Sequence, residues 1–224
     1  MVSTNFEARE YLFWSNVLER IETFLWVLNQ ICIGFVTIYM FWICIYKNMG
    51  TMELHAFVVT LGFSLLMAEG IMCHYNINPL TKGYKRFTKT TIHWVLLTLG
   101  GGFGVAGCAI MINIVKFSMD KTHNRLGFSA FILCMISMLS GLSALFSSYL
   151  HRMLSPFTKG FHNLIGFGTL LTALIAQFYG YKFFHADINY SFIIVLQVVT
   201  LVSWALTSIG PLRALYQKIR NYLD

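Results

Sequence analysis

The sequence predicts an all-α integral membrane protein with six transmembrane helices. Three features carry this prediction: the composition, the length of the apolar runs and the shortness of the loops between them. The chain has 224 residues, of which 57% are hydrophobic and only 11% are charged, whereas soluble domains carry about 25% charged residues. The net charge of +7 comes from basic residues in the loops, so no nucleic-acid partner is expected.

The apolar residues form six runs, each near the ~20 residues that a helix needs to cross a bilayer. Backbone that faces lipid must satisfy its own hydrogen bonds, so every run is predicted to be a helix surrounded by membrane lipid. No long linker interrupts the series, so we expect one domain over residues 1–224. The predicted spans are about 24–46, 56–74, 92–115, 126–149, 161–183 and 191–212.

The distribution of Lys and Arg predicts the orientation. An even number of spans places both termini on the same side, together with the second and fourth loops. That side carries 11 basic residues against five on the other side. Cytoplasmic loops are richer in Lys and Arg, so both termini are predicted to be cytoplasmic.

Four histidines stand at the starts of successive spans: His55, His93, His123 and His162. An ionisable residue at membrane depth is a functional candidate by default, and neutral imidazole is a common ligand of haem iron. Neighbouring spans are antiparallel. His55 and His123 are therefore expected to meet on the non-cytoplasmic side, and His93 and His162 on the cytoplasmic side. This pairing predicts that spans 2–5 form a four-helix core that encloses two haems.

Glycines support this pairing, because each histidine has one four or seven residues later, on its own helix face: Gly62, Gly100, Gly127 and Gly166. We expect these glycines to leave room for a flat macrocycle between helices. The alternative is that the four histidines only anchor the ends of the spans at the interface. His74, His151 and His185 are predicted to have surface roles, with His74 as a spare ligand for the cytoplasmic site. Glu69 is expected either to form an interhelical hydrogen bond or to handle protons.

Several segments resemble the cytochrome b561 family over about residues 20–215. The second span contains Leu54-His55-Ala56-Phe57, and the third begins Ile92-His93-Trp94. The fourth and fifth begin His123-Asn124-Arg125-Leu126-Gly127 and His162-Asn163-Leu164-Ile165-Gly166. The chain is most similar to short members that consist of the core domain alone.

The resemblance implies two b haems, a homodimer in many members, and ascorbate as the cytoplasmic electron donor. Monodehydroascorbate or a ferric chelate would be the acceptor on the far side. The chain departs from the family pattern in one respect, because the stretch at 117–122 lacks the histidine that often precedes the fourth-span ligand.

Basic residues next to the histidines are the candidates for binding these anions. The expected donor-side residues are Lys85, Arg86, Lys89, Arg152 and Lys159. On the far side we expect Lys116, Lys121 and Arg125 to bind the acceptor, with Arg125 equally able to pair with a haem propionate. The alternative is that these residues only enforce the topology.

Three functions are compatible with the pattern. The favoured one is a transmembrane ascorbate-dependent oxidoreductase that acts as a monodehydroascorbate or ferric reductase. The second is a dihaem membrane subunit of a quinone-linked dehydrogenase, which would need a soluble partner subunit. The third is a non-redox channel, transporter or scaffold, which would hold no haem.

Overall fold

The computed structural model describes residues 2–75, 78–116, 118–146 and 154–223. It contains six helical spans that are long and apolar enough to cross a membrane, and the described residues include no strand. The predicted all-α membrane architecture is therefore confirmed. The helices are α1 Val2–Tyr46, α2 Thr51–Val59, α3 Ala68–Met72, α4 Arg86–Val115, α5 Thr122–Leu145, α6 Leu154–Gly180 and α7 Tyr190–Leu223.

The second span is not a uniform α-helix, because a π-helical segment, Thr60–Met67, joins α2 to α3. Its wider turns bring Gly62 against α4. A Cβ atom on Gly62 would lie 2.6 Å from the carbonyl oxygen of Gly100 and 2.7 Å from the amide nitrogen of Gly104. Small residues of this kind let two membrane helices approach backbone to backbone. The glycine-rich part of α4 is thus a helix-packing surface.

The six spans form a core of four and an outer pair. The second span packs on α4, α4 packs on α5, and α5 packs along most of α6. α1 and α7 lie against each other and cover the second span and α6 from outside. We call the side on which α1 begins and α7 ends the terminal side, and the opposite one the far side. α6 continues on the far side into a 3₁₀ turn, Tyr181–Phe184.

Buried polar contacts join α1 to α7. The Asn29 amide donates to the Thr207 hydroxyl over 2.8 Å, and the Ser203 hydroxyl donates to the Asn29 carbonyl over 2.9 Å. Unpaired polar groups are costly in a lipid environment, so such contacts hold helices in register.

The far-side loops are joined by an ion cluster. The Lys47 ammonium lies 2.7 Å from the Asp187 carboxylate and 3.2 Å from the Glu53 carboxylate. The hydrogen bond to Asp187 is the main reason that the pKa of Lys47 is raised. This cluster ties the loop before the second span to the loop before α7.

Candidate functional site

Two of the four span-initial histidines meet on the far side. The rings of His55 from α2 and His123 from α5 have centroids 6.1 Å apart and planes at 84°. Both helices begin on this side, so the antiparallel order of the spans accounts for the encounter. Two imidazoles brought together in this way are a common donor set for haem iron.

The other two histidines meet on the terminal side. The centroids of the rings of His93 from α4 and His162 from α6 are 6.3 Å apart, with planes at 88°. The two pairs are thus nearly identical in geometry. His55 of the far-side pair contacts the Gly107 carbonyl on α4, and His93 of the other pair lies 14 residues earlier on the same helix. At about 1.5 Å per residue, the two pairs are therefore separated by roughly 20 Å along α4.

Each imidazole is oriented through its Nδ1 atom. For three of them the partner is a backbone carbonyl at 2.8 Å: His55 bonds Gly107, His93 bonds Gly70 and His123 bonds Ala176. A carbonyl can only accept, so in these rings Nδ1 carries the proton and the lone pair is on Nε2. Imidazoles that bind metals show this arrangement almost always.

The fourth imidazole has a side-chain partner. His162 Nδ1 lies 3.1 Å from the Ser140 hydroxyl oxygen, which itself donates to the Ser137 carbonyl over 2.9 Å. Because the single hydroxyl proton is used there, the Ser140 oxygen accepts from Nδ1. His162 therefore also has its lone pair on Nε2. All four rings have the tautomer that haem ligation requires.

Glycines on neighbouring helices make room for two of the rings. A Cβ atom on Gly180 would lie 3.0 Å from Cε1 of His123, and one on Gly141 would lie 2.9 Å from Cε1 of His162. The glycines predicted from spacing behave differently. Gly62 and Gly100 pack against each other's backbone, so the prediction that they make room for a macrocycle is wrong.

A cavity of about 320 Å³ opens around the far-side pair. Its walls come from the second span, α4, α5 and the end of α6, and most of them are apolar. Gly127 lines it, as its spacing from His123 predicts, and a Cβ atom there would meet nothing within 4 Å. An apolar cavity with two opposed imidazoles fits a porphyrin with an iron ion between them.

The predicted donor-side cations that the structure describes lie at the beginnings of α4 and α6. Lys85 and Arg86 are exposed at the start of α4, whereas Lys89, one turn before His93, is 8% exposed. Lys159 is exposed on α6, and Arg152 lies outside the described residues. Arg86 and Lys89 lie close enough to act on His74, whose ring meets that of His93, and the role of the five residues in binding a donor stays a prediction.

His74 is exposed, as the predicted surface role requires, and it also lies in this region, where it was expected as a spare ligand. Its ring meets that of His93 edge-on, with centroids 5.0 Å apart. Desolvation is the main cause that lowers the pKa of His74 to about 4, followed by the neighbouring His93 ring and the charges of Lys89 and Arg86. His74 is thus neutral at physiological pH.

Cys73, His74 and His93 bring their ligand atoms within 4.8 Å of one another. A metal ion held by all three is disfavoured, because Nδ1 of His93 and the Cys73 thiol both approach the Gly70 carbonyl. Burial also raises the pKa of Cys73 to about 11, so its thiol keeps its proton.

The three predicted far-side cations differ in their surroundings. The Lys121 ammonium lies 4.6 Å above the Phe183 ring, which in turn meets the His123 ring at 5.3 Å between centroids. Lys116 is exposed after α4 in a left-handed conformation with φ of 47°, and Arg125 is exposed on the first turn of α5. Phe183 was not a sequence candidate, since only the fold brings the end of α6 to the start of α5.

A comparison with protein families matches residues 54–186 to the model described as eukaryotic cytochrome b561. The matched segment covers more than half of the chain and includes all four paired histidines. No curated protein sequence matches the chain significantly.

Proposed function

Because the chain belongs to the eukaryotic cytochrome b561 family of haem-dependent transmembrane oxidoreductases, we propose that it carries electrons from cytoplasmic ascorbate to monodehydroascorbate or a ferric chelate on the far side. Membership of this family contradicts the non-redox alternative. It also favours a complete electron relay over a subunit of a quinone-linked dehydrogenase. The observation that supports the proposal best is the pair of similar bis-imidazole sites at opposite ends of one helix bundle.

We propose that His55 and His123 ligate the far-side haem b and that His93 and His162 ligate the terminal-side haem b. When bound, haem would supply one-electron chemistry through its ferric and ferrous states. The hydrogen bonds at Nδ1 hold each ring in place, which keeps rearrangement on electron transfer small. The bundle supplies a low-dielectric environment between the two sites.

On the donor side, ascorbate is an anion that loses one electron and one proton to become monodehydroascorbate. Lys85, Arg86 and Lys89 precede His93 on the same side of the bundle and would supply positive charge there, and we assign the terminal side to the cytoplasm on the distribution of basic residues. Arg152 and Lys159 complete the predicted set. Neutral His74 is placed to accept a hydrogen bond near the same edge.

On the far side, Lys121 and Lys116 are proposed to attract an anionic acceptor. Lys121 lines the cavity and covers Phe183, so an acceptor docked there lies close to the His123 edge of the site. Arg125 is proposed to pair with a haem propionate or with the acceptor.

The test uses purified protein in sealed vesicles loaded with ascorbate, with ferricyanide or ferric citrate added outside. We expect external iron to be reduced at a rate that depends on internal ascorbate. Reduction of haem without reduction of external iron would contradict a transmembrane reductase. The homodimer that the family resemblance implies is a separate prediction, which light scattering on the detergent-solubilised protein would check.

A further inference from the structure

The four proposed haem ligands differ in one respect. His55, His93 and His123 donate from Nδ1 to backbone carbonyls at 2.8 Å, whereas His162 meets the Ser140 hydroxyl at 3.1 Å. In the terminal-side pair, His162 thus has a replaceable side chain, that of Ser140, at its Nδ1 atom.

The Ser140 hydroxyl is itself fixed. Its proton is donated to the Ser137 carbonyl, one turn earlier on α5, and the residue is buried, with 8% of its surface exposed. Gly141 follows directly, and a Cβ atom there would lie 2.9 Å from His162 Cε1. The Ser140-Gly141 pair thus both binds the ring and leaves space for it.

We propose that Ser140 is a positioning residue that sets the midpoint potential of the terminal-side haem through His162. This inference rests on the proposed ligation of that haem. A stronger acceptor on Nδ1 draws the ring proton away and makes the imidazole a better electron donor to iron, which stabilises the ferric state. A serine hydroxyl is a weaker acceptor than an amide carbonyl. Ser140 therefore makes the ferrous state of this haem more accessible than a carbonyl partner at Nδ1 of His162 would.

The experiment is a spectroelectrochemical titration of the purified haem-loaded protein, together with electron paramagnetic resonance of the ferric form. In Ser140→Ala we expect one of the two midpoint potentials to shift to a more positive value and the other to stay unchanged. The low-spin ferric signal of the same haem should change, because it responds to the angle between the two imidazole planes. Ser140→Thr keeps the hydroxyl and should restore both readouts.

Ser143→Ala is the matched control, since Ser143 is exposed on the same helix and donates to the Leu139 carbonyl. It should leave both potentials unchanged. Unchanged potentials and an unchanged signal in Ser140→Ala would overturn the proposal. If that variant loses haem, Ser140→Cys keeps the volume with a weaker acceptor, and a wild-type potential there would overturn the proposal as well.

The variant His162→Ala distinguishes a wrong ligand assignment from a wrong role for Ser140. If that variant retains both haems, His162 is not a ligand and the inference falls with the assignment. If it loses one haem while Ser140→Ala leaves both potentials unchanged, the ligation stands and only the role of Ser140 is refuted.

Discussion

The Tyr75 hydroxyl accepts a hydrogen bond from the Gly210 amide over 2.5 Å and donates one to the Thr207 carbonyl. Pro211 lies four residues after Thr207 inside α7 and has no N–H to give to that carbonyl. The tyrosine at the end of the second span therefore supplies the hydrogen bond that the proline removes. Burial raises the pKa of Tyr75 to about 12, so the hydroxyl keeps the proton that it donates.

Tyr75→Phe is expected to lower the free energy of unfolding by about 1 kcal/mol, because the Thr207 carbonyl then has no donor in a lipid environment. Thermal unfolding in detergent, followed by the loss of haem absorbance, measures the change. Tyr84→Phe removes a hydroxyl from an exposed loop side chain and serves as the control. Equal melting temperatures for the two variants would contradict this role of Tyr75.

Replacing one histidine of a pair should remove one haem and leave the other. His93→Ala is expected to empty the terminal-side site, and His55→Ala the far-side site, because one imidazole instead of two would then hold the haem. A pyridine-haemochrome assay gives the haem content, which we expect to fall from two per chain to about one. His185→Ala, an exposed loop variant, should retain two. Full haem content in His93→Ala would exclude His93 as a ligand.

The sequence predicted the parts of the site that depend on helix direction alone. His55 and His123 could be paired because both begin spans on the same side, and the structure brings their rings together. The glycine spacing failed for Gly62, because it assumed 3.6 residues per turn and the π-helical segment turns more widely. Ser140 and Gly180 could not be predicted, since each contacts a histidine on another helix, and the rotation of one helix against another depends on packing.

Filling the space beside His123 should affect the far-side haem selectively. A Cβ atom on Gly180 would lie 3.0 Å from Cε1 and 3.1 Å from Nδ1 of the His123 ring. Gly180→Ala should therefore tilt the imidazole, and the bulkier Gly180→Val should displace it. We expect partial and then nearly complete loss of one haem, with the other retained.

Gly168→Ala provides the control on the same helix, because nothing lies within 4 Å of a Cβ atom there. Gly141→Ala should show the reverse selectivity, because its Cβ atom would meet His162 at 2.9 Å. Visible spectra of the His55→Ala and His93→Ala proteins identify which haem is lost. Loss of the same haem in Gly180→Val and Gly141→Ala would contradict the two-site assignment.

The donor-side cations should affect ascorbate but not haem. Lys85→Met combined with Lys89→Met removes two positive charges near His93 while keeping side-chain volume. The ascorbate concentration for half-maximal haem reduction is expected to rise on the order of tenfold at low salt, with haem content unchanged. Lys182→Met, which removes an exposed far-side charge, is the control. Unchanged ascorbate dependence in the double variant would show that the donor binds elsewhere.

Charge reversal on the far side should discriminate between acceptors by their charge. Lys116→Glu with Lys121→Glu converts two attractive far-side charges, of which that of Lys121 lies over Phe183, into repulsive ones, so the association of anions slows. We expect ferricyanide reduction to fall on the order of tenfold at low ionic strength. Added salt should reduce this difference, because it screens exposed charges over about 10 Å at 0.1 M.

A neutral acceptor, such as the ferric complex of maltol, separates this effect from damage to the relay. Its reduction rate should change little in the double variant, because the haems and the donor side are unaltered. Lys182→Glu reverses a charge on the same side of the bundle, in the 3₁₀ turn after α6, and should slow ferricyanide only slightly and leave the neutral complex unchanged. If ferricyanide and the neutral complex slow equally in the double variant, Lys116 and Lys121 do not guide the acceptor. Their positive charge then contributes only to orientation in the membrane, and the anion must reach the His123 edge by another route.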